Sequence, residues 1–487
     1  MFPLVDFLNL DLENLKLKNL YLVFYDILYK GVVKMFINRE KECEFLKRKL
    51  SSNKAELLVI YGRRRVGKTF LLQNCLEKAL FFTADLSSSI HLMNRFLDEI
   101  KSILALPSTL RISSWDEFFG FLKNVFEAKR DLKVVVFDEF QYIPMRDESF
   151  TSVLQRWWDE IFSKLGVKMI LCGSYIGMIE KIVLTRNSPI YGRRTGQYQV
   201  LPLDFFESVK FLNFESTRDF VKAYSVTDGI PLYLLEFSGY RDFYTALTEK
   251  VLTAGEYLVE EGKFLTLEEF KDPSNYYSIL QSIAQGKTVP SEIADISGVD
   301  YKSIGMYLSR LMELKFVNKE FPFFINRKPK RKPHYYLSDE YLRFYFRYIY
   351  PNQELIYRNL KEEALRRITA TLDQHVSFTF EKVARQYLIK REGVEKVGRW
   401  WNKEIEIDVV AIKGKTLYVG KCKWTNKRVD IRVLNKLRSK VPYLLKDLQV
   451  SDFSIIYYLF SKSGFENLEE SDEVKLIDLE RLFLVNQ

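Results

Sequence analysis

The segment that decides the fold is Gly62-Arg63-Arg64-Arg65-Val66-Gly67-Lys68-Thr69, which fits the pattern GxxxxGK followed by Ser or Thr. An apolar run, Leu57–Tyr61, precedes it and a helical pattern, Thr69–Leu80, follows it, as this pattern requires. The glycines let backbone N–H groups turn inward around phosphates, and the helix N-terminus adds partial positive charge. Lys68 should reach the β and γ oxygens of a nucleotide, and the Thr69 hydroxyl should ligate Mg²⁺. The sequence therefore predicts that the whole loop binds ATP with Mg²⁺.

A second element supports this prediction. The apolar run Val134–Phe137 ends in Asp138 and Glu139, 69 residues after Thr69. In an open parallel sheet, ligands bind at the carboxyl ends of the strands, so Asp138 should face Lys68 and hold Mg²⁺ through water. Glu139, beside it, is placed to polarise the water that attacks the γ-phosphate.

Two further candidates follow along the chain. The apolar run Lys168–Cys172 leads into Ser174, a polar side chain that could sense the γ-phosphate or hold the water. Arg193 follows in a basic turn and could serve as an arginine finger, in the same chain or from a neighbouring copy. The second arrangement would require a homo-oligomer. We predict catalytic roles for Glu139, Ser174 and Arg193.

Composition limits the class of protein. The 487 residues suggest about three domains, and short apolar runs that alternate with helical patterns indicate an α/β fold with a parallel sheet. The formal charge of +10 favours a polyanionic partner. No apolar stretch approaches the ~18 residues that a membrane span needs. Four scattered cysteines and three scattered histidines argue against a zinc site or a disulfide framework, and we expect a cytoplasmic, reducing location.

Changes of pattern divide the chain further. Residues 1–34 form a leader that is either a helical appendage or precedes a start at Met35. Residues 35–205 carry the alternating pattern, and residues 206–273 read as a helical lid that Gly229 and Pro231 interrupt. Residues 274–350 contain three short helices and a hairpin, which is the arrangement of a winged helix-turn-helix. Residues 351–487 return to an α/β pattern.

The winged helix offers candidate DNA contacts. Its third helix, Tyr301–Leu314, carries Lys302 and Arg310. The hairpin tip adds five basic residues, which are Arg327, Lys328, Lys330, Arg331 and Lys332. Such a tip can bind phosphates without reading sequence. The alternative is that this module only contacts protein.

Residues 36–350 resemble the archaeal-type ATPases, a STAND-like branch of the AAA+ P-loop superfamily. The matching pieces are Phe36-Ile37-Asn38-Arg39-Glu40, the Gly62–Thr69 loop, Asp138-Glu139-Phe140-Gln141, Gly173-Ser174, Gly192-Arg193, and Asp228-Gly229-Ile230-Pro231-Leu232-Tyr233. The resemblance implies that Pro231 approaches the nucleotide and that a winged helix follows the lid. It also implies a regulatory or nucleic-acid-linked ATPase.

The last segment resembles the restriction-endonuclease-like PD-(D/E)xK fold that often ends this family. Glu381, Asp408 and Lys423 match its helix acid, strand acid and lysine. The second strand acid is replaced by Lys421, which would repel Mg²⁺ rather than bind it. Glu406, on the same face as Asp408, could supply a substitute carboxylate. We therefore expect an inactive nuclease-like domain that could still hold a phosphate backbone, with an active nuclease or an unrelated α/β domain as alternatives.

The sequence thus predicts a Mg²⁺-dependent ATPase with slow, regulated turnover that acts on DNA through the winged helix and the nuclease-like domain. Two other functions stay open. One is a non-catalytic switch in which ATP controls protein assembly, and the other is an ATP-gated DNA endonuclease.

Overall fold

This computed structural model describes residues 38–129, 131–267, 270, 273–325 and 331–486. The predicted leader and the wing residues Arg327, Lys328 and Lys330 lie outside the described residues. Within the described part of the chain, no helix is long and apolar enough to cross a membrane.

The first part of the chain alternates helices and strands around one sheet. Its elements are α1 (Glu40–Leu50), β1 (Glu56–Tyr61), α2 (Lys68–Cys75), β2 (Leu80–Thr83), α3 (Ser89–Leu104), α4 (Trp115–Ala128), β3 (Val134–Asp138), α5 (Tyr142–Arg146), α6 (Phe150–Trp157), β4 (Lys168–Gly173), α7 (Ile176–Ile179) and β5 (Gly196–Gln199). All strands run parallel in the order β2-β3-β4-β1-β5. The predicted α/β fold with a parallel sheet is confirmed.

Burial explains why this sheet was visible in the sequence. Every residue of β1 and β4 is buried, and after the charged first residue of each strand the sequence has no charged side chain. On one face, the Phe82 ring lies 5.1 Å from Phe96, 5.4 Å from Phe118 and 5.5 Å from Phe137 between ring centroids. This aromatic cluster anchors α3 and α4 on the sheet.

Three details differ from the sequence-based expectation. Strand β5 was missed because Gly196–Gln199 alternates polar residues at an edge of the sheet. Helix α2 ends at Cys75 rather than at Leu80. The sequence pattern also predicts one helix over about residues 149–164, but after α6 the residues Trp158–Phe162 form a π-helical turn.

Two of the scattered cysteines are bonded, although their scatter argued against a disulfide framework. Cys43 on α1 and Cys75 at the end of α2 are bonded, with Cα atoms 5.6 Å apart. The separation of 32 residues gave no sign of this contact, which exists only because α1 packs against α2. Cys172 and Cys422 are free and buried.

The middle of the chain is helical and includes one small hairpin. Its elements are α8 (Phe205–Ser208), α9 (Thr217–Thr227), α10 (Pro231–Phe237), α11 (Phe243–Val251), α12 (Tyr257–Leu267), α13 (Ser274–Ala284), α14 (Pro290–Ser297), α15 (Tyr301–Glu313), β6 (Val317–Glu320), β7 (His334–Leu337), α16 (Glu340–Phe344) and α17 (Gln353–Tyr357). Strands β6 and β7 pair antiparallel. The sequence pattern predicts a first hairpin strand over Phe316–Phe324, but β6 is limited to four residues.

The last part of the chain forms a second sheet beside a long helix. Its elements are α18 (Lys361–Glu392), β8 (Lys396–Trp401), β9 (Glu406–Lys413), β10 (Thr416–Lys423), α19 (Ile431–Arg438), α20 (Val441–Leu448), β11 (Ser454–Ser461), β12 (Val474–Asp478) and α21 (Leu479–Phe483). The sheet order is β12-β11-β10-β9-β8, with β8, β9 and β10 antiparallel and β10, β11 and β12 parallel.

The base of the hairpin is docked on this second sheet. The Phe323 N–H donates to the Arg399 carbonyl at 2.6 Å, and the His334 ring stacks on Trp401 at 4.5 Å between centroids. Arg331 forms an ion pair with Asp447. The hairpin is thus held against the last part of the chain by backbone, ring and charge contacts.

Gly229, between α9 and α10, supports a specific prediction. Its φ is +67°, and a Cβ there would lie 1.9 Å from the Leu203 carbonyl oxygen. Gly229→Ala should therefore lower the free energy of unfolding by about 2–4 kcal/mol, from left-handed strain and overpacking together. Gly239→Ala, where no atom lies within 4 Å, is the matched control. Chemical denaturation should show a loss for the first variant only, and an equal midpoint for both would contradict the close approach.

Candidate active site

The loop between β1 and α2 is shaped by two glycines and one arginine. Gly67 adopts φ +86°, and a Cβ on Gly62 would lie 2.2 Å from the Val200 carbonyl oxygen. The buried Arg39 guanidinium donates to the carbonyls of Val66 and Leu201, both at 3.0 Å. These contacts hold the loop in the conformation that turns N–H groups toward phosphates.

Lys68, Thr69 and Asp138 come together as predicted. Lys68 is buried, and its ammonium donates to the Arg63 carbonyl at 3.0 Å within the loop. The Thr69 hydroxyl donates to Asp138 Oδ2 at 2.7 Å, and the Glu139 N–H donates to Asp138 Oδ1 at 3.0 Å. A hydroxyl and a carboxylate at contact distance are the oxygen ligands that Mg²⁺ takes beside nucleotide phosphates, so the residues present fit this ion.

The Glu139 carboxylate is held by two donors. The Ser174 hydroxyl and the Gln141 amide nitrogen both donate to Glu139 Oε2 at 2.6 Å. Glu139 itself has φ +49°, a left-handed conformation that non-glycine residues rarely adopt. Gln141 was missed as a site residue. The quoted Asp138–Gln141 segment contained it, but only the structure shows that its fully buried side chain reaches back to Glu139.

The three loop arginines contact three different parts of the chain. Arg63 forms an ion pair with Asp339 at 2.5 Å, just before α16. Arg64 donates to the Tyr142 hydroxyl at 2.6 Å. Arg65 forms an ion pair with the buried Glu261 of α12 at 3.2 Å. Glu261 and Asp339 lie far along the sequence and carried no local signal.

The two other predicted nucleotide-site residues are placed differently. Pro231 is the first residue of α10, and Tyr233, two residues later, donates to Glu261 at 2.9 Å. The start of α10 is therefore joined to the loop through Glu261 and Arg65. Arg193 instead forms a forked ion pair with Asp159, with N–O distances of 2.9 and 3.2 Å. Its role as an arginine finger stays a prediction.

In the last part of the chain, Asp408 is paired with the lysine that departs from the expected motif. Lys421 on β10 donates to Asp408 Oδ1 on β9 at 2.7 Å, and the Cys422 N–H donates to Oδ2 at 2.9 Å. Burial lowers the pKa of Lys421, but the charge of Asp408 outweighs it and the net pKa is raised. The ammonium thus occupies the side of Asp408 where a second carboxylate was expected.

Glu381 on α18 faces the same region. Burial raises the pKa of Glu381 to about 7, although Arg399 at 3.2 Å acts in the opposite direction. Lys423 ends β10 and is half-buried, while the Glu406 side chain is exposed. Among the described residues, no three His, Cys, Asp or Glu side chains gather as a metal-binding group.

The described DNA-contact candidates lie on the surface, and two are already paired. Arg310 forms an ion pair with Glu313 at 2.8 Å, and Arg331 pairs with Asp447. Lys302 and Lys332 are exposed. The sequence reasoning also missed a run of basic residues after β10, although a charge count would have found it.

Comparison with known proteins supports a nucleotide-binding role for the part of the chain that contains the loop Gly62–Thr69. Residues 36–237 match a family model described as an ATPase domain predominantly from Archaea, and residues 345–434 match archaeal and bacterial proteins of unknown function. The solved Walker-type ATPase PABY2304 of Pyrococcus abyssi aligns over 64% of this chain and 96% of its own, with a TM-score of 0.50 and 22% identity. Fold, loop and match together define a P-loop ATPase that binds ATP.

The relatives identify the family. The chain is 31% identical to the uncharacterized protein MJECL04 of Methanocaldococcus jannaschii over 92% of this chain and 99% of that protein. A stretch of 47 residues, 10% of this chain, is 60% identical to the uncharacterized ATP-binding protein MJ0423 of the same organism and covers 78% of it. The chain therefore belongs to the family of ATPase-domain proteins that includes MJECL04.

The Lys421–Asp408 pair supports a prediction about metal binding. Lys421→Glu should create a pair of carboxylates on adjacent strands and allow Mg²⁺ or Mn²⁺ to bind. Lys415→Glu, an exposed position before β10, makes the same charge change away from Asp408. Calorimetry of the nucleotide-free full chain should detect binding in the first variant only. Tight binding by the unchanged protein that Asp408→Ala removes would instead point to Glu406 as a ligand.

Proposed function

We propose that this protein hydrolyses ATP with Mg²⁺ at the loop Gly62–Thr69, and that Glu139 activates the water. The proposal rests on four residues that are joined by hydrogen bonds. Asp138, Glu139 and Ser174 lie at the carboxyl ends of β3 and β4, and Thr69 lies in the first turn of α2. Lys68 and the loop N–H groups would balance charge on the β and γ phosphates. When bound, Mg²⁺ would neutralise phosphate charge from the Thr69 and Asp138 side of the site.

Glu139 is the proposed base because its carboxylate lies beside Asp138 and is oriented by two donors. It would accept a proton from the water as the water oxygen attacks the γ-phosphorus and the bond to the bridging oxygen breaks. Ser174 shares Glu139 Oε2 with Gln141, so Ser174 could turn to the γ-phosphate while Gln141 keeps the carboxylate in place. Ser174 would then report the presence of the third phosphate.

The test separates binding from hydrolysis. Lys68→Ala removes the cation aimed at the phosphates and should abolish tight ATP binding. Glu139→Gln should keep ATP binding but lower turnover by about 10² or more. Glu160→Gln, on the exposed surface, is the matched control and should behave as the unchanged protein. Equilibrium binding of a fluorescent nucleotide and phosphate release measure the two steps, and wild-type turnover in Glu139→Gln would exclude this base.

We further propose DNA as the partner and the last part of the chain as a nuclease-like domain without cleavage activity. Three helices with the hairpin β6–β7 support a winged helix, which can contact duplex DNA. Asp408 on β9, Lys421 and Lys423 on β10 and Glu381 on α18 support the PD-(D/E)xK arrangement. The Lys421 ammonium on Asp408 favours loss of cleavage, because it holds the carboxylate that a metal would need.

A second candidate function, an ATP-controlled switch, rests on the loop arginines. Arg63 and Arg65 connect the phosphate loop to α16 and α12 through ion pairs with Asp339 and Glu261. Phosphates that attract these guanidinium groups would compete with the two carboxylates. Binding of ATP would then loosen the helical part of the chain from the loop, whatever the rate of hydrolysis.

The switch makes its own prediction. Glu261→Gln removes the charge that competes for Arg65, so ATP should bind more tightly, by up to about tenfold for 1.4 kcal/mol. Glu249→Gln, an exposed change on α11, is the control. Hydrogen exchange of α12 should also increase without nucleotide in the first variant. Unchanged affinity and unchanged exchange would show that this ion pair does not couple the loop to the helices.

A further inference from the structure

A long basic segment lies in the last part of the chain and begins at Lys421, the partner of Asp408. Residues 421–446 contain nine basic residues and one acidic residue, Asp430, so this segment alone accounts for most of the formal charge of +10. The structure places them at the end of β10, in the loop before α19, on α19, just before α20 and in the last turn of α20. A charge this dense on one short segment marks a surface for a polyanion.

Exposure and pairing show which of these charges are available. Lys427, Arg428 and Lys436 are exposed, and none of them forms an ion pair with another described residue. Arg432 lies one turn before Lys436 on α19 and pairs with Asp430 at the start of that helix. The loop before α19 and the outer side of α19 thus present free cations to solvent.

The same surface continues to Asp408. Lys440 donates to the Glu406 carbonyl at 2.8 Å on β9, and Lys421 donates to Asp408. Lys440 thus extends the basic surface to β9.

The helix-turn-helix surface has a different character. Its exposed residues include Lys302 and Lys332 but also the acids Glu292, Asp295 and Asp300, and Arg310 is paired with Glu313. Tyr301 and Met306 are exposed by 58% and 65% on α15. Within the described residues, this surface is therefore less suited to a phosphate backbone than the surface of α19.

We infer that the phosphate backbone of duplex DNA binds to the α19 face, which we define as Lys427, Arg428, Lys436 and Lys440. This inference rests on the proposed DNA partner and names the surface that holds it. Phosphates would contact Lys427, Arg428 and Lys436 from solvent, and one phosphodiester would lie by Lys440. The contacts are to the backbone, so they give affinity without sequence preference.

The test compares charge reversals in the full chain. The variant Lys427→Glu, Arg428→Glu and Lys436→Glu should weaken duplex DNA binding by roughly tenfold or more. It should also lower the slope of log affinity against log salt by about 0.9 for each lost contact. The control Lys41→Glu, Lys129→Glu and Lys164→Glu changes three exposed lysines of the ATPase part by the same charge. Fluorescence anisotropy gives affinity, and thermal unfolding midpoints verify the fold. The same three positions changed to Gln should give a smaller loss in the same direction.

The outcomes separate this inference from the proposed function. If the α19 variant binds DNA as tightly as the control, while reversal of Arg327, Lys328, Lys330, Arg331 and Lys332 abolishes binding, the α19 face is wrong and the DNA partner stands. If the unchanged protein binds no DNA, both fail. Duplex RNA that competes as well as DNA shows that the face reads a backbone common to both. Polyglutamate that competes equally would overturn the inference, because any polyanion would then suffice.

Discussion

The rest of the structure depends on one constraint, which is that the loop Gly62–Lys68 must keep its backbone N–H groups turned toward a bound phosphate. A backbone cannot hold this shape alone, because a left-handed non-glycine residue such as Arg65 costs conformational energy. Arg39 therefore fixes the loop from one side, and Val200 packs against Gly62 from the other. The parallel sheet brings the ends of β3 and β4 to the same edge, which places Asp138 and Ser174 beside the loop.

The loop also joins the parts of the chain. Its three arginines contact α12, the residue before α16 and the segment after β3, so the segment that binds phosphates also contacts the helical region.

A buried charge network extends this connection. Asp228, next to Gly229, pairs with Lys382 on α18, and Lys382 lies 3.8 Å from Glu340, next to Asp339. Burial raises the pKa of Asp228 to about 6 despite the attraction of Lys382. Removing Lys382 would leave the buried Asp228 carboxylate without its ion-pair partner, whereas Glu340 would keep its ion pair with Arg343.

Helix α18 connects the helical region to the second sheet. On one side, Lys382 and Gln386 contact Asp228 and Tyr224 near the start of the helical region. On the other side, Glu381 and Arg385 face Arg399 and Asp408. Lys382 and Glu381 are neighbours in this helix of 32 residues, so a shift of α18 at the Asp228 contact would also displace Glu381. The helical region and Asp408 therefore contact one continuous helix.

The sequence by itself determined the parallel α/β fold, the phosphate loop and the Asp138–Glu139 pair, because each follows from short-range pattern. Fully buried strands read as apolar runs, and a phosphate loop needs particular residues at fixed spacing. Only the tertiary structure decided three other sets of contacts, because they join residues whose local sequence carries no signal. These are the Cys43–Cys75 bond, the hydrogen bond from Gln141 to Glu139, and the ion pairs of Arg65 with Glu261 and of Arg63 with Asp339. It also decided which charges are free. Arg310 and Arg331 looked available in the sequence but are neutralised by neighbours, whereas Lys427, Arg428 and Lys436 remain exposed to solvent, because pairing depends on which surfaces the fold brings together.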